Sequence, residues 1–133
     1  MSRDIRIALV VGVGGVIGAL ARWGVDLLFD RSGEIRPGAT LSINIVGCLL
    51  MGLLVACVLA APSAHPLLRP FLGTGVLGGF TTFSAFAAET TRFLRDGSVA
   101  LALVYVTASL VGSVGAAWLG LRLGRAWNSG RTR

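Results

Sequence analysis

Gly73-Thr-Gly-Val-Leu-Gly-Gly-Phe-Thr-Thr-Phe-Ser-Ala-Phe86 places four glycines and three threonines in a segment with apolar flanks. In lipid, an unpaired backbone amide or carbonyl is too costly to leave exposed. Yet Gly73, Gly75, Gly78 and Gly79 are each poorer helix formers than Ala by about 1 kcal/mol. Such composition is tolerated at membrane depth only where the freed backbone is buried in protein or lines a polar cavity. The stretch therefore predicts a third helix broken near its middle to make a site.

The rest of the chain has a membrane composition. Hydrophobic residues make up 54% and charged residues 14%, and mean hydropathy is +0.80. Uncharged runs cover Ile7–Ala21, Pro37–Leu68, Pro70–Ala88 and Gly97–Leu121. Most approach or exceed the ~20 residues that cross a hydrocarbon core. The first is shorter, but Ile5 precedes it and Leu27, Leu28 and Phe29 extend it past Arg22. These runs predict an all-α membrane protein with one four-helix domain over 1–133 and spans near 5–29, 38–61, 67–92 and 97–122. Asp4 beside the first basic residues, and apolar sequence continuing through Trp23 and Phe29, argue against a cleaved signal peptide.

The net charge of +6 comes from twelve arginines, without a lysine, against six acids. A basic balance can mark nucleic-acid binding, but these arginines sit at helix ends, where they reach lipid headgroups. With four spans, Arg3, Arg6, Arg69, Arg122, Arg125, Arg131 and Arg133 share one side of the membrane. Arg22, Arg31, Arg36, Arg92 and Arg95 share the other. Such a small bias specifies orientation weakly and would suit a chain inserted both ways and paired antiparallel.

Polar residues within the spans fall on lines. Gly14 and Gly18 form a G-x-x-x-G pair suited to close helix approach. Arg22, Asp26 and Asp30 make a stripe on the emerging helix, read either as a solvated Arg–Asp pair or as an anion-attracting vestibule. In the second span Thr40 and Asn44 share a face, and Ser42 can bond its own helix. Asn44 needs partners in mid-membrane: another helix, or water in a pore. In the fourth span Tyr105, Ser109 and Ser113 recur every four residues, beside a small-residue seam of Gly112, Ala116 and Gly120. Cys48 and Cys57, nine apart, match no metal or redox spacing and read as buried free thiols. His65 reads as a surface-loop residue.

The inventory is hydroxyls, an amide and aromatic rings, with few charges. Phe83 and Phe86 project from roughly one face, as packing groups or as rings whose positive edges meet an anion. Hydroxyls and the Asn amide can donate to a small, strongly hydrated anion. Glu89 is either a helix-end surface group or a carboxyl at a pore mouth.

The chain resembles the Fluc (CrcB) fluoride-channel family. The resemblance lies in Gly14-Gly15-Val16-Ile17-Gly18-Ala19 with Arg22-Trp23, in Thr40-Leu41-Ser42-Ile43-Asn44 with Gly47, and in Gly78-Gly79-Phe80-Thr81-Thr82-Phe83-Ser84-Ala85-Phe86. It implies an antiparallel, dual-topology homodimer in the bacterial cytoplasmic (inner) membrane that exports fluoride passively through two pores. It also implies a structural sodium ion at the dimer centre, held by backbone carbonyls matched here by Gly78 and Thr81. Phe83, Phe86 and Asn44 match residues lining the fluoride path. Thr40, Thr82, Tyr105, Ser109 and Ser113 are assigned to the same path, with Arg22 at the vestibule and Glu89 close to the pore. Phe80 stands where a smaller aliphatic residue is common.

Other readings fit the residues less well. A small dual-topology proton-coupled transporter needs a carboxylate in the membrane core, and the first span has glycines there. A purely structural subunit would not need two polar lines. An enzyme would need a nucleophile–base pair or metal cluster that the sequence does not offer.

Overall fold

The computed structural model describes residues 2–29, 37–60 and 65–131. Helix α1 spans Arg3–Phe29 and α2 spans Pro37–Ala60. The third span runs from Pro70 to Arg95 in pieces: a wide-turned π-helix over Pro70–Leu77, α3 over Gly78–Phe80 and α4 over Phe83–Arg95. Helix α5 covers Val99–Arg131. It continues beyond 122, where the sequence places the end of the span. Each of the four spans is long and apolar enough to cross a membrane.

The helix ends follow local chemistry. Ser2 caps α1, its Oγ accepting from the Ile5 amide at 3.4 Å, and Asp4 lies in the first turn against the positive end of the helix. Proline opens α2 and the third span, where a missing N–H costs nothing. Helix α4 ends in a Schellman turn: Gly97 donates to the Leu94 carbonyl and Ser98 to the Phe93 carbonyl. Gly97 takes φ +72°, a left-handed conformation that glycine adopts without strain.

Two parallel pairs build the bundle. In the first, α1 lies against the π-helix and α3. A Cβ on Gly14 would stand 2.5 Å from the Phe71 carbonyl oxygen, and one on Gly18 would stand 2.0 Å from that of Val76. The G-x-x-x-G seam therefore meets the glycine-rich third span backbone to backbone, as small-residue interfaces do in lipid. In the second pair, α2 lies along α5: a Cβ on Gly52 would meet the Ala117 carbonyl at 2.1 Å, and one on Gly120 that of Leu49 at 2.1 Å. Helix α4 leans on both α2 and α5. Val13, Val16, Leu20, Val104, Val111 and Val114 remain exposed, as apolar residues facing lipid or a second chain do.

Candidate functional site

The glycines of the third span do not themselves leave the helix. Gly78 keeps φ −64° and ψ −36°, and its amide reaches the Gly73 and Gly75 carbonyls. Departure from helical geometry comes at Thr81 (φ −76°, ψ 159°) and Thr82 (φ −146°, ψ 123°), which are extended. What holds them there is Asn44. Its Nδ2 donates to the Thr82 carbonyl at 3.0 Å, and its Oδ1 accepts from the Thr82 amide at 2.9 Å. The side chain pairs with both backbone groups of one residue, as a neighbouring strand would. Of the two readings of Asn44, these contacts show the one that joins helices, and the residue also borders a cavity.

Thr82 then opens α4. Its Oγ1 accepts from the Ala85 amide at 3.2 Å and pairs with Ser84 Oγ. Thr81 turns its own hydroxyl back to the Leu77 carbonyl at 3.0 Å. Its methyl lies where a Cβ on Gly47 would fall, at 2.3 Å, so a glycine at 47 makes room for the bend.

Phe83, directly after the extended residues, and Phe86, one turn on, stack with centroids 5.7 Å apart and planes tilted 44°. The row continues from Phe86 to Tyr105 at 5.5 Å and from Tyr105 to Phe93 at 5.7 Å. Tyr105 is buried and Phe86 half-buried, whereas Phe83 is 79% exposed. A cavity of about 300 Å³ opens beside the two phenylalanines, bordered by Asn44, Cys48, Phe83, Phe86, Ser109 and Ser113. It has no charged side chain in its lining. The Ser109 Oγ is buried there without a hydrogen-bond partner.

Beyond the ring row lies a buried carboxylate. Glu89 is 3% exposed and accepts from Thr40 Oγ1 at 2.6 Å and from the Tyr105 hydroxyl. The surface reading of Glu89 is thus corrected. It sits at the middle of α4, on the side that meets α2 and α5, and two hydroxyls from those helices replace its water. Thr40, Asn44 and Cys48 form one line on α2, and Tyr105, Ser109 and Ser113 form the line on α5, with α4 between them.

Arg22 stands elsewhere. Its Nε donates to the Gly79 carbonyl at 3.3 Å, across the α1 seam. The expected Arg22–Asp26 pair is corrected: among the described residues the one salt bridge is Arg92 with Asp96 at 3.9 Å. A carbonyl close to the bend competes better for the guanidinium than an aspartate at the helix end. Asp30 lies outside the described residues. Ser42 does bond its own helix, at the Gly38 carbonyl, and exposed His65 accepts from the Leu67 amide.

Both cysteines are free thiols, but neither is buried: Cys48 is half-buried and Cys57 exposed. Nine residues at about 100° each turn a helix by two and a half revolutions, so the pair points to opposite faces. Cys48, with Leu110 and Val114, lines the cavity and was missed by sequence reasoning. The signal for Cys48 was its place four residues after Asn44.

Comparison with known proteins bears on this arrangement. The family profile described as CrcB-like protein, Camphor Resistance (CrcB), matches residues 9–121. The chain belongs to the CrcB family. A CrcB relative from Paracoccus denitrificans (strain Pd 1222), named fluoride-specific ion channel FluC, is 50% identical over 117 residues, covering 88% of this chain and 93% of the relative. Proteins of the same name from Agrobacterium fabrum (strain C58 / ATCC 33970) and Stutzerimonas stutzeri (strain A1501) are 46% and 44% identical, covering 91% of this chain and 97% and 98% of their own lengths. The matched CrcB region takes in the α1 glycine seam, Asn44, the extended threonines and the whole cavity lining.

Proposed function

We propose that this protein is a fluoride channel that exports the ion passively across the bacterial cytoplasmic membrane and so lowers its cytoplasmic concentration. The observation that carries this reading is the cavity lining: hydroxyls, an amide and two rings among a thiol and two aliphatic side chains, without a charged group. A small anion there would exchange its water for O–H and N–H donors and positive ring edges. A full positive charge would bind it too tightly to let it leave, and conduction needs release as well as capture. The names of the relatives supply fluoride as the anion. Thr40, Thr82, Tyr105 and Glu89 would continue or shape the path, and Arg22 would raise anion concentration at its mouth.

Two antiparallel copies would form the working unit. The near-balance of arginines on the two sides supports insertion both ways. The exposure of Phe83 also supports a second chain, since a large ring on a wet path would be covered by a neighbour.

Sodium fits the bend in this chain. The Thr82 amide, which in a continuous helix would meet the Gly78 carbonyl, donates to Asn44 instead. The Ala85 amide, the helical partner of the Thr81 carbonyl, donates to Thr82 Oγ1. Both oxygens thus lack their helical donors, and a hard cation takes oxygen ligands. Gly78 and Thr81 of two copies would hold the ion, whose part is structural.

Efflux from liposomes tests the function. Fluoride should leave far faster than chloride with no proton gradient imposed; strict proton coupling would move the protein to the transporter class. Phe83→Ile and Phe86→Ile should each cut fluoride flux by about tenfold or more, because an aliphatic side chain has no positive edge. Elution as the wild-type oligomer separates that loss from misassembly, and unchanged flux in both variants removes the rings from the path. Thr81→Ser should keep flux and its dependence on sodium, since the backbone oxygen remains. Sodium dependence lost in that variant would assign the ion to the side chain.

A further inference from the structure

We propose that Cys48 is a modification site in the wall of the anion path, where a soft, neutral metal species binds Sγ and closes the path. The inference rests on reading the cavity as the fluoride route. Cys48 lies one helical turn beyond Asn44 and borders the same cavity as Phe86, Ser109 and Ser113. It is half-buried and lines that space. Ser109 is a second, independent observation. The residue is 8% exposed, and its Oγ has no hydrogen-bond partner although it borders the cavity. A buried hydroxyl left in this way calls for a partner, and a molecule in the cavity would supply one.

Thiol sulfur prefers soft metals. In chloride solution mercury(II) is carried as the neutral molecule HgCl2, which an uncharged lining does not repel. At Cys48 the Sγ–H bond breaks, an S–Hg bond forms and one Hg–Cl bond breaks. The proton and chloride leave to water, and no oxidation state changes. The product is an –HgCl group projecting between the α2 and α5 lines, where the anion must pass. Excess dithiol removes the metal and returns the proton to sulfur. Cys57 is the built-in control, exposed on the opposite face of α2 and outside the cavity lining.

The experiment measures fluoride efflux from liposomes before and after micromolar mercuric chloride, with the mass of the protein read in parallel. Each variant is scored against its own untreated flux. Wild type and Cys57→Ser should lose about tenfold or more of their flux, recover it with dithiothreitol, and carry mercury on Cys48. Cys48→Ser, or Cys48→Ala should the first variant not fold, should lose less than about twofold. Mercury on Cys48 with flux intact overturns the inference, as does absence of an adduct there or a block that survives in the Cys48 variants. Absence of fluoride flux from untreated protein overturns the functional reading itself and, with it, the closing of a path.

Discussion

Asn44→Ala is expected to abolish fluoride flux and to lower the thermal midpoint of the purified protein by on the order of 10 °C. The variant removes the partner of both the Thr82 amide and the Thr82 carbonyl. Each group orphaned away from water costs roughly 1–3 kcal/mol. Thr82 could recover by closing a helical bond from its amide to Gly78, but α4 would then lose the cap that Thr82 Oγ1 gives to Ala85. Either outcome displaces Phe83 and Phe86, so function falls with stability. Asn44→Asp separates the two contacts: its oxygen still accepts from the Thr82 amide, but nothing donates to the carbonyl. It should fall between wild type and Asn44→Ala. A wild-type midpoint and flux in Asn44→Ala would remove the side chain as the cause of the bend.

Gly18→Ala is expected to prevent recovery of folded, monodisperse protein on size exclusion in detergent. The added Cβ would stand 2.0 Å from the Val76 carbonyl oxygen and 2.8 Å from the Phe80 amide nitrogen. No rotamer relieves this, because the obstacles are backbone. Helix α1 would have to move away from the third span, giving up the contacts of Gly14 with Phe71 and of Arg22 with Gly79. Overpacking typically costs about 1–3 kcal/mol, and more where backbone must shift. Gly24→Ala on the same helix is the comparison: a Cβ there meets nothing within 4 Å. That variant should match wild type, and equal behaviour of the two would show that glycine at 18 is not a packing requirement.

Hydropathy alone carries the four spans, because uninterrupted apolar length is a property of sequence. The polar lines were equally legible, since Thr40 with Asn44 and Tyr105 with Ser109 and Ser113 obey helical spacing. The location of the bend was less so. Glycine content pointed to a break over Gly78 to Thr81, but Gly78 and Gly79 remain helical, and Gly75 and Gly79 pack closely against α1. The extended residues are two threonines whose conformation is imposed by an amide 38 positions earlier. Glu89 was illegible for the same reason. Nothing within a turn of it announces that its hydroxyl partners come from α2 and α5.

The parallel pairing of the helices has a consequence for biosynthesis. Neither close seam joins neighbours in the chain: α1 packs on the third span, and α2 waits for α5, the last to be made. Hairpins of successive helices thus cannot bury their glycine seams as they enter the bilayer. Until the third span arrives, Asn44 has no Thr82 to pair with, and until α5 arrives Glu89 lacks the Tyr105 hydroxyl. A half-made chain therefore carries unpaired polar groups in lipid, an interval in which membrane quality control can distinguish it from the finished protein.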